Sequence, residues 1–360
     1  MRLLAGGPVP PRMNTALVSI CVPTYNRPEY LRRAVQSCLA QTYPHFEVVI
    51  TDNSTNEDSA RLAARWTDPR VRYFSNQGNI GPFASTNRAV SLSQGKYIKL
   101  LMDDDLLKPR CLELMVKAME ENPTAGIAMA PMELIDADDR RIFPRFYVFR
   151  RMDYRYRYQV GDGLIGRRRI LKDFLTRDYP CTVPSGLMFR AEALRRAGPF
   201  DKEAHFAGDL QMCMRIAPDW DFYYIDEVLS SWRLMPAKSK SDHDPEALEG
   251  VNTATLHQTG LQISVFYLVT RQCLDNPQVR EFFRDDWHKT VRDSLFFCSC
   301  RALLNGLAGM RSRNPALIFS TIKTILREDP DPVNWLRLPL FVIHQIWISL
   351  FPPKLPPPRG

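Results

Sequence analysis

Three consecutive carboxylates, Asp103, Asp104 and Asp105, are the residues of this sequence with the clearest capacity for chemistry. They directly follow an apolar run from Tyr97 to Met102 that is typical of a buried strand. Clustered carboxylates repel one another unless a cation lies between them, and their hard oxygen atoms suit Mg²⁺ or Mn²⁺. The pattern predicts a divalent cation site at a strand end. It leaves open the alternative of an acidic turn before a helix that follows Pro109.

Two earlier apolar runs also end in polar residues. Leu17 to Pro23 leads into Thr24, Tyr25 and Arg27, and Phe46 to Thr51 leads into Asp52 and Asn53. Helical patterns follow each run, and a further short strand pattern occupies 71–74. This alternation predicts a parallel sheet with right-handed crossovers, and ligands bind at the carboxyl ends of such strands.

A glycine-marked loop with the sequence NQGNIGPFAS precedes the next helical pattern, which includes Asn87 and Arg88. Gly78 and Gly81 give the spacing GxxG, which is neither the dinucleotide fingerprint GxGxxG nor the phosphate loop GxxxxGK[ST]. The sequence therefore disfavours both of those nucleotide-binding folds.

Composition restricts the class of partner. The 360 residues are 45% apolar and carry a formal net charge of +8, which permits a large core and favours anionic partners such as nucleotides, phospholipid headgroups or nucleic acid. The 8 cysteines include no CxxC pair, and the start of the chain has too short an apolar run for a signal peptide. We therefore expect reduced thiols in a cytoplasmic protein.

The motifs named above occur together and in order within the first 110 residues. The segment PTYNR from Pro23 to Arg27, the strand that ends in Asp52, the loop GNIGPFASTNRA and the acidic run before Pro109 resemble the family 2 glycosyltransferases. The resemblance implies a GT-A fold: a Rossmann-like, mixed, mainly parallel sheet flanked by helices, here followed by an all-helical C-terminal region. It also implies a nucleotide diphosphate sugar as donor, with a UDP-sugar expected. The residues that it assigns to the donor site are Pro23, Thr24, Tyr25, Arg27, Asp52, Asn53, Asn87 and Arg88.

The acidic run departs from the family pattern Asp–x–Asp–Asp, because Met102 stands where the first Asp is usual. Asp104 and Asp105 match the last two positions and are the expected ligands of Mn²⁺ or Mg²⁺. Asp103 occupies the variable position and is placed in the donor site. Two alternatives stay open: Asp103 substitutes for the missing carboxylate, or fewer protein ligands hold the cation.

A second carboxylate, Asp209, opens a predicted helix in the segment AGDLQMCMRI. An Asp at a helix start is often an N-cap. The upstream segments TVPSGLMF and AGPFD resemble the acceptor half of the same family, however, and this resemblance implies that Asp209 is the catalytic base of an inverting, single-displacement transfer. Downstream, YIDEVLSSWRL resembles the last core strand and places Arg233 and Lys238 in the donor site. Met235 stands where many members have a His. His243 is a candidate to compensate, although a histidine in an exposed loop is the favoured interpretation of that residue.

Residues 140–177 form a basic, aromatic insert with eleven arginines. A solvated hairpin is the favoured interpretation, an acceptor or membrane-phosphate surface is the next, and nucleic acid binding is disfavoured because no RNA- or DNA-binding motif accompanies the charges. Long helices are predicted over 255–274, 279–307 and 314–326. The run from Trp335 to Phe351 spans 17 residues, too few to cross a bilayer, and is predicted as an interfacial membrane helix, with packing on protein as the alternative.

The predicted organisation is a tail over 1–15, a glycosyltransferase domain over 16–240 that contains the insert, a helical region over 241–351 and a proline-rich tail over 352–360. The expected reaction is metal-dependent transfer of a hexose to a hydroxyl of a glycan or lipid-linked acceptor in cell-surface polysaccharide synthesis, at the inner face of the membrane. Two alternatives remain: a nucleotidyltransferase, and a non-catalytic protein that binds nucleotide sugars or polyanions.

Overall fold

The computed structural model describes residues 16–142, 161–176, 183–233 and 261–310, together with Ile325, Asp329, Asn334 and Arg337. The described strands are β1 (Val18–Thr24), β2 (Phe46–Asp52), β3 (Val71–Ser75), β4 (Tyr97–Leu100), β5 (Leu106–Leu107), β6 (Ala125–Met129), β7 (Met132–Ile135), β8 (Gly163–Ile165), β9 (Leu187–Arg190), β10 (Asp221–Tyr224) and β11 (Ser230–Arg233). The described helices are α1 (Pro28–Leu39), α2 (Asp58–Ala63), α3 (Pro82–Leu92), α4 (Cys111–Glu121), α5 (Arg167–Thr176), α6 (Ala191–Ala197), α7 (Gly208–Ile216), α8 (Leu261–Leu274), α9 (Pro277–Phe282) and α10 (Trp287–Met310).

Eight strands form the main sheet in the order β3-β2-β1-β4-β9-β6-β10-β8. Neighbours pair in parallel except β9, which is antiparallel to β4 and β6, and β8, which is antiparallel to β10. A second, three-stranded sheet has the order β5-β11-β7. The prediction of a mixed, mainly parallel sheet between helices is therefore confirmed.

Each face of the main sheet carries its own apolar core. On β1, Val18, Ile20 and Val22 belong to the core that also contains residues of α1 and α4, whereas Cys21 belongs to the core of the opposite face. This alternation follows from the two-residue period of a strand. Both faces are covered, which is why the sequence of β1 reads as a continuous apolar run.

The register of the parallel strands aligns the predicted polar residues at one edge. Thr24 pairs with Asp52 and Asp52 with Ser75, while Cys21 pairs with Leu100 at the end of β4. The acidic run after β4 therefore lies level with the turn after β1. The topology alone brings these segments together, although almost eighty residues of chain separate them.

The C-terminal helices are not a separate layer away from the sheet. Buried residues of α8 and α10, among them Tyr267 and Cys298, lie in the same apolar core as Phe222 of β10. The prediction of one helix over 279–307 is wrong, because α9 ends at Phe282 and α10 begins at Trp287, with a short 3₁₀ turn between them.

Several predictions lie outside the described residues. These are the insert from 143 to 160, the proposed domain boundary at 240/241, the helix over 314–326 apart from Ile325, and the run over 335–351 apart from Arg337. The described end of the insert, residues 161–176, forms β8 and α5, and Ile170, Leu171 and Phe174 are buried there. Within the described residues, no helix is both long enough and apolar enough to cross a membrane.

Candidate active site

The acidic run is a tight turn at the end of β4, and we call Met102–Asp105 the acidic turn. The backbone N–H of Asp105 donates to the carbonyl of Met102 at 3.0 Å, which closes a four-residue turn. Its geometry separates the three carboxylates: Asp103 is 6% exposed and Asp105 is fully buried, while the Asp104 side chain is 18% exposed. Asp104 is thus the carboxylate of the turn that is most open to a ligand from solvent.

Asp103 joins the acidic turn to the turn after β1. Its Oδ2 atom accepts hydrogen bonds from Thr24 Oγ1 at 2.7 Å and from the backbone N–H of Tyr25 at 3.4 Å. The guanidinium of Arg27 lies 3.4 Å from Asp103 Oδ1 and 2.8 Å from Asp104 Oδ2. Four of the predicted donor-site residues, Thr24, Tyr25, Arg27 and Asp103, are therefore in direct contact, and Pro23 precedes them at the end of β1.

Asp105 faces the interior. Its Oδ1 atom accepts from the backbone N–H of Arg233 at 2.9 Å, whereas Oδ2 is buried and has no hydrogen-bond partner. The Arg233 guanidinium is also fully buried, and it donates to the carbonyl of Asp104 at 2.7 Å, to the carbonyl of Asp136 and to the carboxylate of Asp139. Contact of Arg233 with a diphosphate stays a prediction, because the guanidinium donates its hydrogen bonds to protein acceptors in the structure.

Burial dominates the electrostatics of the two inner carboxylates. Loss of hydration raises the pKa of Asp103 to about 6, against the lowering influence of Arg27, and the neighbouring Asp104 raises it further. Burial and then Asp104 raise the pKa of Asp105 well above its ordinary value, although Ser185 and the Arg233 backbone act in the opposite direction. A positive charge near the turn would stabilise both carboxylates in the ionised form.

Sequence reasoning missed two residues beneath the acidic turn. Lys99 on β4 is fully buried, and its Nζ donates to the carbonyls of Ser185 and Leu187 at 2.6 and 3.1 Å. The Ser185 hydroxyl in turn accepts from the backbone N–H of Met102 at 3.0 Å. A lysine within the otherwise apolar run YIKLL was the available signal, because a charge in a buried strand requires specific partners.

Asp52 and Asn53 lie at the end of β2 in a dense hydrogen-bond network. Asp52 accepts from the Ser54 backbone at 2.7 Å and from the Tyr73 hydroxyl at 2.5 Å, and it is 3% exposed. The Asn53 amide donates to the Gly81 carbonyl and accepts from Asn76. The glycine loop is thereby attached to β2, and a role of Asp52 and Asn53 in donor binding stays a prediction.

The side chains of Asn87 and Arg88 on α3 form hydrogen bonds with neighbouring segments of the chain. The Asn87 side chain donates to the Phe200 carbonyl and accepts from the Phe200 backbone N–H, each at 2.8 Å. Arg88 donates to the Ser75 carbonyl at 2.8 Å and to the side chain of Asn76. These contacts position α3 between the donor side and the segment before α7, and the predicted donor contacts of both residues are untested.

Asp209 lies in the first turn of α7 and is half-buried. The alternative that Asp209 is the N-cap of this helix is wrong, because the N-cap is Ala207 and no side chain caps the helix. The Asp209 carboxylate accepts from the backbone N–H of Leu210 at 2.8 Å. Its neighbour Gly208 packs so closely on Phe83 of α3 that a Cβ atom there would lie 2.2 Å from the ring. The helix that carries the predicted base is therefore in contact with the helix that follows the glycine loop.

The residues of the acidic turn fit a divalent cation with few protein ligands. Asp104 has a partly exposed carboxylate, and the neighbouring Asp105 has a buried Oδ2 atom with no hydrogen-bond partner. Among the described residues, no group of three His, Cys, Asp or Glu side chains could form a complete metal cage. Mg²⁺ and Mn²⁺ commonly bind one or two carboxylates together with substrate phosphates, which matches this set. Lys238, Met235 and His243 lie outside the described residues.

Comparison with known proteins identifies relatives that match between one third and two thirds of the chain. An uncharacterized glycosyltransferase from Methanocaldococcus jannaschii is 28% identical over 230 residues, which are 62% of this chain and 72% of that protein. A putative colanic acid biosynthesis glycosyl transferase from Escherichia coli is 36% identical over 119 residues, which are 32% of this chain and 43% of that protein. For the second relative, the match thus spans less than half of its length.

Solved structures show the same fold at low sequence identity. S. aureus TarS in complex with UDP-GlcNAc aligns with a TM-score of 0.55 and 16% identity over 86% of this chain and 90% of that chain. The mannosyltransferase PcManGT from Pyrobaculum calidifontis, in complex with GDP-Man and Mn²⁺, aligns with a TM-score of 0.52 and 16% identity over 94% of this chain and 88% of that chain. The family model for glycosyl transferase family 2 matches residues 19–198, which are half of the 360 residues and extend from the second residue of β1 to just past the end of α6. This chain therefore belongs to glycosyl transferase family 2.

Proposed function

We propose that the protein transfers a hexose from a nucleotide diphosphate sugar to a hydroxyl of a glycan or lipid-linked acceptor, with inversion at the anomeric carbon. The observation that carries this proposal is the contact between Thr24, Arg27 and the acidic turn at one edge of the sheet. One solved structure of the same fold contains UDP-GlcNAc and another contains GDP-Man and Mn²⁺, which supports a nucleotide sugar and a divalent cation for this chain. The E. coli relative supports a role in cell-surface polysaccharide synthesis.

In the proposed reaction, the Asp209 carboxylate accepts the proton of the acceptor hydroxyl as the hydroxyl oxygen attacks the anomeric carbon. The bond between that carbon and the donor oxygen breaks on the opposite face, and the nucleoside diphosphate leaves. A positioned base of this kind contributes about 10²- to 10⁴-fold in rate. A divalent cation bound at Asp104 would neutralise charge on the departing diphosphate. The guanidinium of Arg27, which pairs with Asp104 in the structure, is a further positive charge available to the diphosphate.

The first test measures nucleoside diphosphate release from UDP-, GDP- and dTDP-sugars with and without Mn²⁺. We expect metal-dependent release from one donor, a loss of about 10²-fold or more in Asp209→Asn, and loss of metal dependence in Asp104→Ala. Asp219→Asn is the matched control, because Asp219 is exposed just after α7 and should leave the rate unchanged. Donor binding without turnover in the presence of acceptors would favour the non-catalytic alternative, and pyrophosphate release would favour a nucleotidyltransferase.

We also propose that residues 335–351 contact the inner face of an anionic membrane. The support is compositional: this run contains Trp335 and Trp347 at spacings suited to a headgroup boundary, and the flanking sequence is basic. Co-sedimentation with vesicles that contain phosphatidylglycerol tests the proposal. Binding that persists after deletion of 335–351 would contradict it.

A further inference from the structure

Arg27 occupies a position beside the proposed cation ligand that its sequence motif does not explain. Its Nη1 atom lies 2.8 Å from Asp104 Oδ2 and 3.4 Å from Asp103 Oδ1. Among the described residues, its guanidinium makes hydrogen bonds to these two carboxylates alone. The side chain is 37% exposed, so core packing does not hold it there.

A guanidinium and a divalent cation compete for such a site. Both require lone pairs of the Asp104 carboxylate, and a guanidinium and a divalent cation held on one carboxylate a few ångströms apart repel each other strongly. A divalent cation that binds to Asp104 Oδ2 must therefore displace the Arg27 guanidinium from that atom. A phosphate group is a natural alternative partner for the released arginine, because the planar guanidinium matches phosphate oxygen atoms in two parallel hydrogen bonds.

We propose that Arg27 acts as an internal cation that competes with the divalent metal for Asp104 and transfers to the donor's diphosphate when that group binds. Each ligand then raises the affinity for the other. The diphosphate binds Arg27 and so frees Asp104 for the metal, and the metal reduces the repulsion between the carboxylates and the diphosphate. This inference rests on the proposed function, because it assumes a metal at Asp104 and a nucleoside diphosphate as ligand.

Thermodynamic linkage makes the proposal quantitative. If a nucleoside diphosphate raises the affinity for Mn²⁺ by some factor, Mn²⁺ raises the affinity for the nucleoside diphosphate by the same factor, and typical couplings are about 5- to 150-fold. In the wild-type chain this coupling includes the displacement of Arg27. Removal of the Arg27 charge should therefore strengthen Mn²⁺ binding in the absence of nucleotide and reduce the coupling.

The experiment is a titration of the full chain with Mn²⁺, in which electron paramagnetic resonance measures free Mn²⁺, without nucleotide and with saturating UDP or GDP. We expect UDP or GDP to tighten Mn²⁺ binding to the wild type by about tenfold or more. Arg27→Gln should bind Mn²⁺ alone about fivefold or more tightly than the wild type and should show a smaller effect of the nucleotide. Arg32→Gln removes the same charge from an exposed position on α1, where the arginine pairs with Glu29, and should behave like the wild type.

Two outcomes overturn the inference and separate it from the proposed function. Equal Mn²⁺ affinity of wild type and Arg27→Gln without nucleotide, with Asp104→Ala abolishing binding in both, would show that Arg27 does not compete while the metal site stands. Absence of Mn²⁺ binding to every variant, with UDP or GDP still bound in calorimetry, would overturn both the inference and the metal in the proposed function. Thermal unfolding of each variant serves as the check that its fold is intact.

Discussion

Glu47 is a buried carboxylate on β2 that connects three neighbouring segments of the sheet. It accepts from the Ser19 hydroxyl of β1 at 2.6 Å, from the backbone N–H of Gln94 at 2.7 Å and from the guanidinium of Arg72 on β3. Burial alone would raise its pKa, but the hydrogen bonds from Ser19, Gln94 and Arg72 outweigh burial and lower the pKa below its ordinary value. The ionised form of Glu47 therefore stabilises the folded state.

The direction of this pKa shift predicts a pH dependence of stability. A folded-state pKa below the unfolded value of 4.5 means that the contribution is fully present above about pH 4.5 and is lost as the pH falls through the folded-state pKa. Glu47→Gln should lower the free energy of unfolding by about 1–3 kcal/mol at pH 7, because the new NH₂ group faces the donors of Arg72, and the difference should shrink toward pH 3. Urea denaturation at both pH values measures it. Glu192→Gln, in an exposed pair with Arg196, should change little, and an equal loss in both variants would refute the prediction.

Arg233 is predicted to be more important for the folded state than its assignment to the donor site implies. A lysine at this position could satisfy only part of the set formed by the carbonyls of Asp104 and Asp136 and the carboxylate of Asp139. We expect Arg233→Lys to lower the free energy of unfolding by about 2–4 kcal/mol, because the ammonium group would be buried at this position without the full set of hydrogen bonds that the buried guanidinium makes. Chemical denaturation checks this, with Arg32→Lys as the exposed control. Unchanged stability with weakened donor binding would instead assign Arg233 to the ligand, as the sequence motif predicts.

At the scale of secondary-structure elements, the contact between α3 and α7 joins the two halves of the site. Gly208 at the start of α7 lies against the ring of Phe83 near the start of α3, and Asn87 of α3 binds the backbone of Phe200. The glycine loop before α3 and the proposed base Asp209 on α7 are thus positioned by one shared interface. A shift of α3 relative to α7 would change the distance between donor and base.

Gly208→Ala tests this interface. The added methyl group would lie 2.2 Å from Phe83 Cε1, so the ring or the helix must move, and overpacking of this kind costs about 1–3 kcal/mol. We expect a lower melting temperature and a reduced transfer rate. A second substitution, Phe83→Leu, should recover part of both losses, since the residues are in contact. Gly161→Ala has no atom within 4 Å of the new Cβ and is the matched control. Additive effects of Gly208→Ala and Phe83→Leu would contradict the proposed coupling.

Sequence patterns predicted those parts of the fold in which local chemistry and period agree. The apolar runs of β1, β2 and β4 and the polar residues at their ends indicated the parallel sheet and the edge where Thr24, Asp52 and Asp103 meet. The different environments of the three carboxylates in the acidic turn were not predictable. They depend on Ser185, in a 3₁₀ turn, and on Arg233 of β11, which lie about 80 and 130 residues further along the chain. The break between α9 and α10 was missed for a similar reason: Arg284–Asp286 form a 3₁₀ turn inside a stretch whose helical pattern is continuous.

At the scale of the whole molecule, the C-terminal helices complete the core of the catalytic domain. Val265, Tyr267, Val269 and Cys273 of α8 are 1–6% exposed and share an apolar cluster with Leu210 and Met214 of α7. Gln211 of α7 also donates to the side chain of Gln272 at 2.8 Å. The helix that bears Asp209 is therefore covered on its apolar side by a helix that begins 45 residues after it ends.

A chain that ends at residue 240 should therefore not fold as a stable catalytic domain. Without α8 and α10, apolar side chains of α5 and α7 would be exposed to water. Exposure of each large aliphatic or aromatic side chain costs about 1.5–3 kcal/mol. Because a typical domain has a total stability of only about 5–15 kcal/mol, exposure of a few such side chains would unfold it. We expect aggregation, or a soluble form that binds the dye ANS and unfolds without cooperativity. A chain that ends at residue 351 loses only the proline-rich tail and should match the full chain in both assays. Cooperative unfolding of the chain that ends at 240 would instead establish 16–240 as an independent domain, as the sequence alone suggested, and would make the C-terminal helices an accessory to a core that is already complete.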